Sequence, residues 1–191
     1  MKPLFAIIIS ILLVAASIFL FRHKTIDLGR PYFEKGLELY QLSDHDCTWD
    51  WEIIKKAIPE FEKAIDKGYK EREVFDKLAS CYRHSNGDVK NAEIIYSRAL
   101  TYYPDDYEFY IQRGDCRKSL KKYEDALKDY EKATSIKNAK FRDNYSNVIY
   151  DRGAIKYILG DTINAEADRK LATNILRDKS GRSDVSFQPY K

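Results

Sequence analysis

Two stripes of small and aromatic residues recur 34 positions apart, and this recurrence limits the folds open to the chain. Ala92, Tyr96 and Ala99 stand 34 positions before Ala126, Tyr130 and Ala133. Led by Tyr123, the second set steps by 3, 4 and 3, which is one face of a helix. A small residue alternating with an aromatic suits two closely packed helices. Gly114 sits inside the preceding helix, where glycine costs about 1 kcal/mol relative to alanine, so a close helix contact is its expected reason. Tyr107 to Asn138 therefore reads as two helices joined by a tight turn. A period of this length marks an array of stacked units.

The pattern extends in both directions. Ala57, Phe61 and Ala64 lie 35 positions before Ala92, Tyr96 and Ala99, with Gly36 as the matching first-helix glycine. Ser43 to Trp51 is inserted between the helices of that unit, with Ser43, Asp44 and Asp46 as turn and cap formers. Asp50 is placed to cap a helix starting near Trp51. In the next unit Phe75, Leu78, Ala79 and Tyr82 form a core face, and Ser85 to Asp88 makes the turn. Pro104 stops its second helix, and Asp105 and Asp106 start the next. Gly153, Ala165 and Ala172 lie 39 positions beyond Gly114, Ala126 and Ala133, which is one period plus five inserted residues around Lys140 to Asn144. Arg169 stands where the earlier stripes carry an aromatic, and a terminal unit is often atypical because its outer face meets water. The expected repeats are about 29–69, 72–104, 107–138 and 144–177, within a domain of 25–177. The tail, 178–191, is expected to be flexible unless Phe187 and Tyr190 pack back.

These residues resemble the tetratricopeptide repeat. Gly114, Tyr123, Ala126, Tyr130 and Ala133 carry the likeness, and Pro104 matches the family's helix-ending proline. The family's first-helix tryptophan is missing from every repeat, and only the second keeps the terminal proline. The resemblance implies an all-α solenoid that binds a protein or peptide partner in its concave groove. It implies no chemistry. Register with the family places Glu73, Asp76, Ser80, Arg83, His84, Glu108, Ile111, Asp115 and Lys118 in the middle of that groove. Phe33, Leu37 and Tyr40 would line one end, and Tyr150, Tyr157 and Ile158 the other. A charged middle with aromatic ends suits an extended peptide or a partner helix. The plainer alternative is a solvated charged face. Some members of the family clamp the terminal carboxylate of a heat-shock chaperone with Lys and Asn. Here those places hold Phe33, Leu37, Asp76 and Ser80, so that partner class is rejected.

Ahead of the array, Leu4 to Phe21 contains no charge, and 13 of its 18 residues are Leu, Ile, Val or Phe. As a helix it would span about 27 Å, close to the hydrocarbon thickness of a bilayer. Insertion is favoured by several kcal/mol at about −0.3 to −0.6 kcal/mol per apolar residue. Arg22, His23 and Lys24 would then sit among headgroups. A cleaved signal peptide ending at Ala16 is a rival, but it leaves Ser17 to Phe21 as an apolar new terminus. The favoured expectation is a single-pass transmembrane anchor over 1–24, with the repeat domain outside the cytoplasm. The flanking charges alone lean weakly the other way.

Composition narrows the classes further. Net charge is +3 with both signs interspersed, so there is no basic stripe for nucleic acid. Three cysteines, Cys47, Cys81 and Cys116, leave at least one unpaired, and the last two fall at equivalent repeat positions that favour buried small side chains. Asp44, His45, Asp46 and Cys47 lack a second ligand pair with metal spacing and read as a turn. Trp49 and Trp51 form a loop tip suited to a partner or a membrane interface, or else they cap the first repeat. His23, His45 and His84 are scattered, and there is neither a phosphate-binding glycine loop nor a zinc-protease motif, so no enzyme and no cofactor is expected. The expected function is a membrane-anchored adaptor for a protein or peptide. A structural subunit of a larger membrane complex, or an envelope inhibitor of immunity type, are the alternatives.

Overall fold

The structure, a computed structural model, describes residues 27–45, 48–85, 87–136, 139–141, 143–181 and 186–190. The described residues form four helix pairs. They are α1 (Arg30–Ser43) with α2 (Trp51–Asp66), α3 (Arg72–His84) with α4 (Val89–Tyr102), α5 (Tyr107–Ser119) with α6 (Tyr123–Ser135), and α7 (Tyr145–Ile158) with α8 (Thr162–Ser180). Helix contacts run between sequence neighbours, with α1 also meeting α3, as a solenoid requires. The insertion between α1 and α2 is a two-residue ribbon of β1 (Asp44–His45) and β2 (Thr48–Trp49), paired antiparallel. It is the one departure from all-α structure among the described residues. A 3-10 turn, Ala139–Phe141, takes up the extra residues between α6 and α7.

Aspartates cap four of the eight described helices. The side chain of Asp50 accepts the backbone N–H groups of Glu52 and Ile53, that of Asp88 accepts Asn91, that of Asp106 accepts Phe109, and that of Asp161 accepts Asn164. Each satisfies N–H groups that lack an intrahelical partner. The small and aromatic stripe is the interior: Ala57, Phe61, Ala64, Ala92, Tyr96, Ala99, Ala126, Tyr130, Ala133, Ala165 and Ala172 are all buried. The first-helix glycines meet it closely. A Cβ on Gly36 would lie 2.8 Å from the Phe61 ring, and one on Gly114 would lie 3.0 Å from the Tyr130 ring. Cys81 and Cys116 are free and buried, and burial pushes their thiols up to about 12 and about 11, which leaves them inert at neutral pH.

The segment Leu4 to Phe21 lies outside the described residues, and among the described residues no helix is long and apolar enough to cross a membrane. Helix α8 runs to Ser180, past the expected end of the last repeat at 177. Of the expected tail, Phe187 and Tyr190 pack back. Phe187 stacks on Tyr150 at 4.5 Å between ring centroids, and Tyr190 packs on both Tyr150 and Tyr157.

Candidate functional site

The first helices of successive pairs meet through the residues that family register assigns to the groove. Tyr40 of α1 and Ser80 of α3 share a hydrogen bond of 3.1 Å between their hydroxyls. Lys77, one turn away, holds its ammonium 4.8 Å from the Tyr40 ring centroid. Arg83 of α3 donates to the Gln112 side chain of α5. Lys118 of α5 donates to Asp151 of α7 at 3.1 Å, and Asn144 donates to Glu108 at 3.5 Å. These links join side chains of successive first helices from α1 to α7.

The row is largely self-neutralised. Lys118 also lies 3.6 Å from Asp115, and Asp115 accepts a 2.6 Å hydrogen bond from the Tyr130 hydroxyl. Burial, reinforced by the Asp115 charge, pushes the Tyr130 phenol far above its ordinary value, so it stays a donor. Burial likewise pushes the Asp151 carboxyl up, against the pull of Lys118. Glu73, Arg83 and His84 are exposed, while Asp76 and Ser80 are half-buried.

Two assigned groove residues lie elsewhere. Phe33 is buried at 5 % exposure, stacked on Tyr69 at 4.6 Å and packed with Phe61. Ile111 is buried at 6 % in a cluster with Tyr107, Val148 and Ile155. These two apolar side chains pack into the two cores, away from the exposed Glu73, Arg83 and His84. Leu37 is half-buried against the first core. Trp51 is half-buried under Lys55, whose ammonium lies 3.4 Å from its ring centroid. The side chain of Trp49 lies outside the described residues, as do Asp46 and Cys47. Among the described residues no group of three His, Cys, Asp or Glu side chains forms a metal site.

The other end of the row is different in kind. Tyr150, Ala154, Tyr157 and Ile158 lie at i, i+4, i+7 and i+8 on α7, and together with Gln188, Pro189 and Tyr190 they line an open recess of about 360 Å³. Tyr157 and Ile158 are 38 % and 52 % exposed there.

Below the open face, sequence reading missed a buried charge cluster. Asp129 of α6 takes Arg113 at 2.6 Å and Arg117 at 2.8 Å, both from α5. Arg117 also reaches Glu93 of α4 at 3.0 Å, and Lys122 reaches Glu93 at 2.6 Å. The fourth pair repeats the device, with Asp168 between Arg152 at 2.5 Å and Lys156 at 2.9 Å. Burial alone would raise the Asp168 and Glu93 carboxyls, but hydrogen bonds from their cations hold both below the ordinary range. The signal was present. A cation directly precedes the glycine in Lys35-Gly36, Arg113-Gly114 and Arg152-Gly153. An acid directly precedes the stripe's large residue in Glu60-Phe61, Asp129-Tyr130 and Asp168-Arg169. Each of these cations pairs with the acid of its own unit, the first as Lys35 to Glu60 at 2.6 Å.

Comparison with known proteins bears on the fold. The tetratricopeptide-repeat family model matches residues 107–140. Among curated proteins no significant match to the sequence was found. Of solved structures, a crystal structure of MamA superposes with a TM-score of 0.66 at 16 % identity, covering 83 % of this chain and 84 % of that one. MamA from Desulfovibrio magneticus RS-1, from residue 41 to its end, gives a TM-score of 0.62 at 14 % identity, with 86 % and 81 % covered. YrrB, described as a tetratricopeptide-repeat protein with an unusual peptide-binding site, gives 0.62 at 20 % identity, with 82 % and 73 % covered. Residues 107–140 thus match a tetratricopeptide repeat, and the chain has the solenoid fold of tetratricopeptide-repeat proteins.

Proposed function

We propose that the protein is a membrane-anchored adaptor that holds a protein or peptide partner on the inner face of its solenoid. The row of side chains linked from Tyr40 to Asp151 carries this reading. Its three links each join successive first helices, and Glu73, Arg83 and His84 are exposed to solvent. A pre-paired track is rigid, so a partner segment pays little ordering cost on the protein side. YrrB, with the same fold, is described as having a peptide-binding site, which supports the class of partner. The uncharged run Leu4 to Phe21 supports the anchor, with residues 1–24 as the membrane segment and the array following from 25.

A photo-cross-linking residue placed at Glu73 in the full chain, in native membranes, tests the groove. The control places it at Lys128, exposed on α6. A discrete cross-linked partner from position 73 and none from 128 is expected. Equal labelling from both positions, or none from 73, would sink the groove. Extraction at alkaline pH tests the anchor, since a peripheral protein is released and an anchored one is not.

Membership of a larger membrane complex is a second reading. One observation favours it: Ile158, Leu159 and Ile163 are exposed together around the α7–α8 turn, at 52 %, 37 % and 84 %. An apolar surface of this kind suits a permanent contact.

A further inference from the structure

At the α7 end of the row, residues 186–190 pack back on the fourth helix pair. The backbone of this segment is bound at three points. The Phe187 N–H donates to Thr173 Oγ1 at 3.3 Å, the Phe187 carbonyl accepts from Arg169 Nη1 at 3.1 Å, and the Gln188 carbonyl accepts from the Tyr150 hydroxyl at 3.1 Å. The Tyr190 hydroxyl donates to the Tyr150 carbonyl at 2.9 Å. Both rings are held as well, Phe187 stacked on Tyr150 with planes 16° apart and Tyr190 between Tyr150 and Tyr157. Pro189 fixes its own φ and favours an extended residue before it, which suits two aromatics spaced three apart on one side.

Gly153 lies against this segment. In the first and third pairs the helical glycine is covered by an aromatic of its own second helix, Phe61 or Tyr130. In the fourth pair Arg169 replaces that aromatic, and a Gly153 Cβ would meet the Tyr190 hydroxyl as well as the Asp168 Cβ at 2.9 Å and the Ala165 carbonyl at 3.0 Å of its own second helix. The aromatic missing from the stripe is supplied from outside the helix pair.

We propose that this face of α7 is a binding site for an extended partner segment of the form aromatic, polar, proline, aromatic, and that Phe187 to Tyr190 occupies it in cis. This deepens the groove reading and rests on it for the claim that the inner face binds partners. Tyr157 and Ile158 line the recess of about 360 Å³ beside residues 188–190, and Ile158, 52 % exposed, is open to further contact with a bound segment. An incoming segment must displace the tail, so its apparent affinity is lowered by the fraction of time the tail is seated.

The test measures fluorescence polarisation of a labelled peptide of sequence Ser-Phe-Gln-Pro-Tyr. It is titrated with the full chain and with the Phe187→Ala/Tyr190→Ala variant. The variant is expected to bind at least about tenfold more tightly, and adding Tyr150→Ala should abolish the gain. Equal binding to both chains overturns cis occupancy. No binding to a variant that keeps its far-UV helix signal overturns the site. A second measurement needs no substitution: excess peptide on the unaltered chain should speed hydrogen exchange at the Phe187 amide, and unchanged exchange counts against the proposal. A concentration-dependent dimer of the parent by light scattering, lost in the double variant, would assign the site to a second copy and overturn a foreign partner. If the peptide fails while cross-links from position 73 persist, only this inference falls. If the peptide binds while those cross-links are missing, the polar track falls and the α7 site stands.

Discussion

The second and third helix pairs share a register and a backbone, yet they fill one interior position in opposite ways. Ile95 directly precedes Tyr96 in α4, and Asp129 directly precedes Tyr130 in α6. Leu78 of α3 stands 35 positions before Arg113 of α5. One pair is therefore closed by apolar contact and the other by a carboxylate held between two guanidiniums. The small and aromatic stripe is common to both, so it defines the repeat, and the position beside it is free to vary. The charged solution does something that the apolar one does not. Arg117 bridges Asp129 to Glu93, which ties the third pair to the second. Desolvation cancels much of the Coulomb gain in such clusters, so their value lies more in fixing how neighbours sit than in net stability.

The most direct way to break this contrast is Asp129→Ala. Arg113 and Arg117 are only 17 % and 18 % exposed and would lose their shared counter-ion. The expected loss is about 3–5 kcal/mol in urea unfolding. Installing the second pair's residues, as Arg113→Leu with Asp129→Ile, should bring stability back to within about 1 kcal/mol of the parent. Arg117 keeps Glu93 at 3.0 Å in that double variant. A double variant as unstable as Asp129→Ala would show that the two solutions are not interchangeable.

Acid sharpens the same point in the fourth pair, with a smaller effect. The Asp168 carboxyl is held below its ordinary value by Arg152 and Lys156 despite burial. A carboxylate with a lowered folded pKa stabilises fully above its unfolded value, about 4, and loses that contribution as pH falls through the lower folded value. The parent should therefore exceed Asp168→Asn in urea midpoint at pH 7, and the gap should close as the pH falls below about 4. A gap that stays constant across that range would mean the ion pair adds nothing to stability.

The stripe and the period were legible because both follow from spacing. Ala126, Tyr130 and Ala133 are buried where a 3.6-residue period puts them, and the glycines at 36 and 114 do meet rings. The charge clusters were less legible because Arg, Lys, Asp and Glu are dense everywhere on these helices, and spacing within one helix does not pair it with the next. Only reading the residue before each glycine against the residue before each aromatic isolates Arg113 with Asp129 and Arg152 with Asp168. Phe33 and Ile111 were misplaced for a related reason. Family register assigns a side of the helix, whereas apolar side chains at its margin turn inward to leave water. The tail's seat was half visible: Phe187 and Tyr190 stood out in a polar segment, but nothing in the chain names Tyr150 as their receptor.

The last contrast concerns a turn. Gly87, Lys121 and Gly160 occupy the same place between the helices of the second, third and fourth pairs, at φ of +68°, +59° and +89°. Left-handed backbone is open to glycine and costs other L-residues about 1–2 kcal/mol. The third pair alone pays this cost among these three turns. Lys121 is exposed, so its side chain offers little to offset the strain. Glycine at 121 would remove the strain but would also loosen the unfolded chain, which takes back about 0.4–1 kcal/mol. The expected net effect of Lys121→Gly is a gain of about 0.5–1 kcal/mol in urea unfolding. Lys121→Ala should gain nothing, because alanine meets the same Cβ restriction. Equal gains from both substitutions would point to relief of charge repulsion among Lys118, Lys121 and Lys122 and would remove backbone strain as the cause.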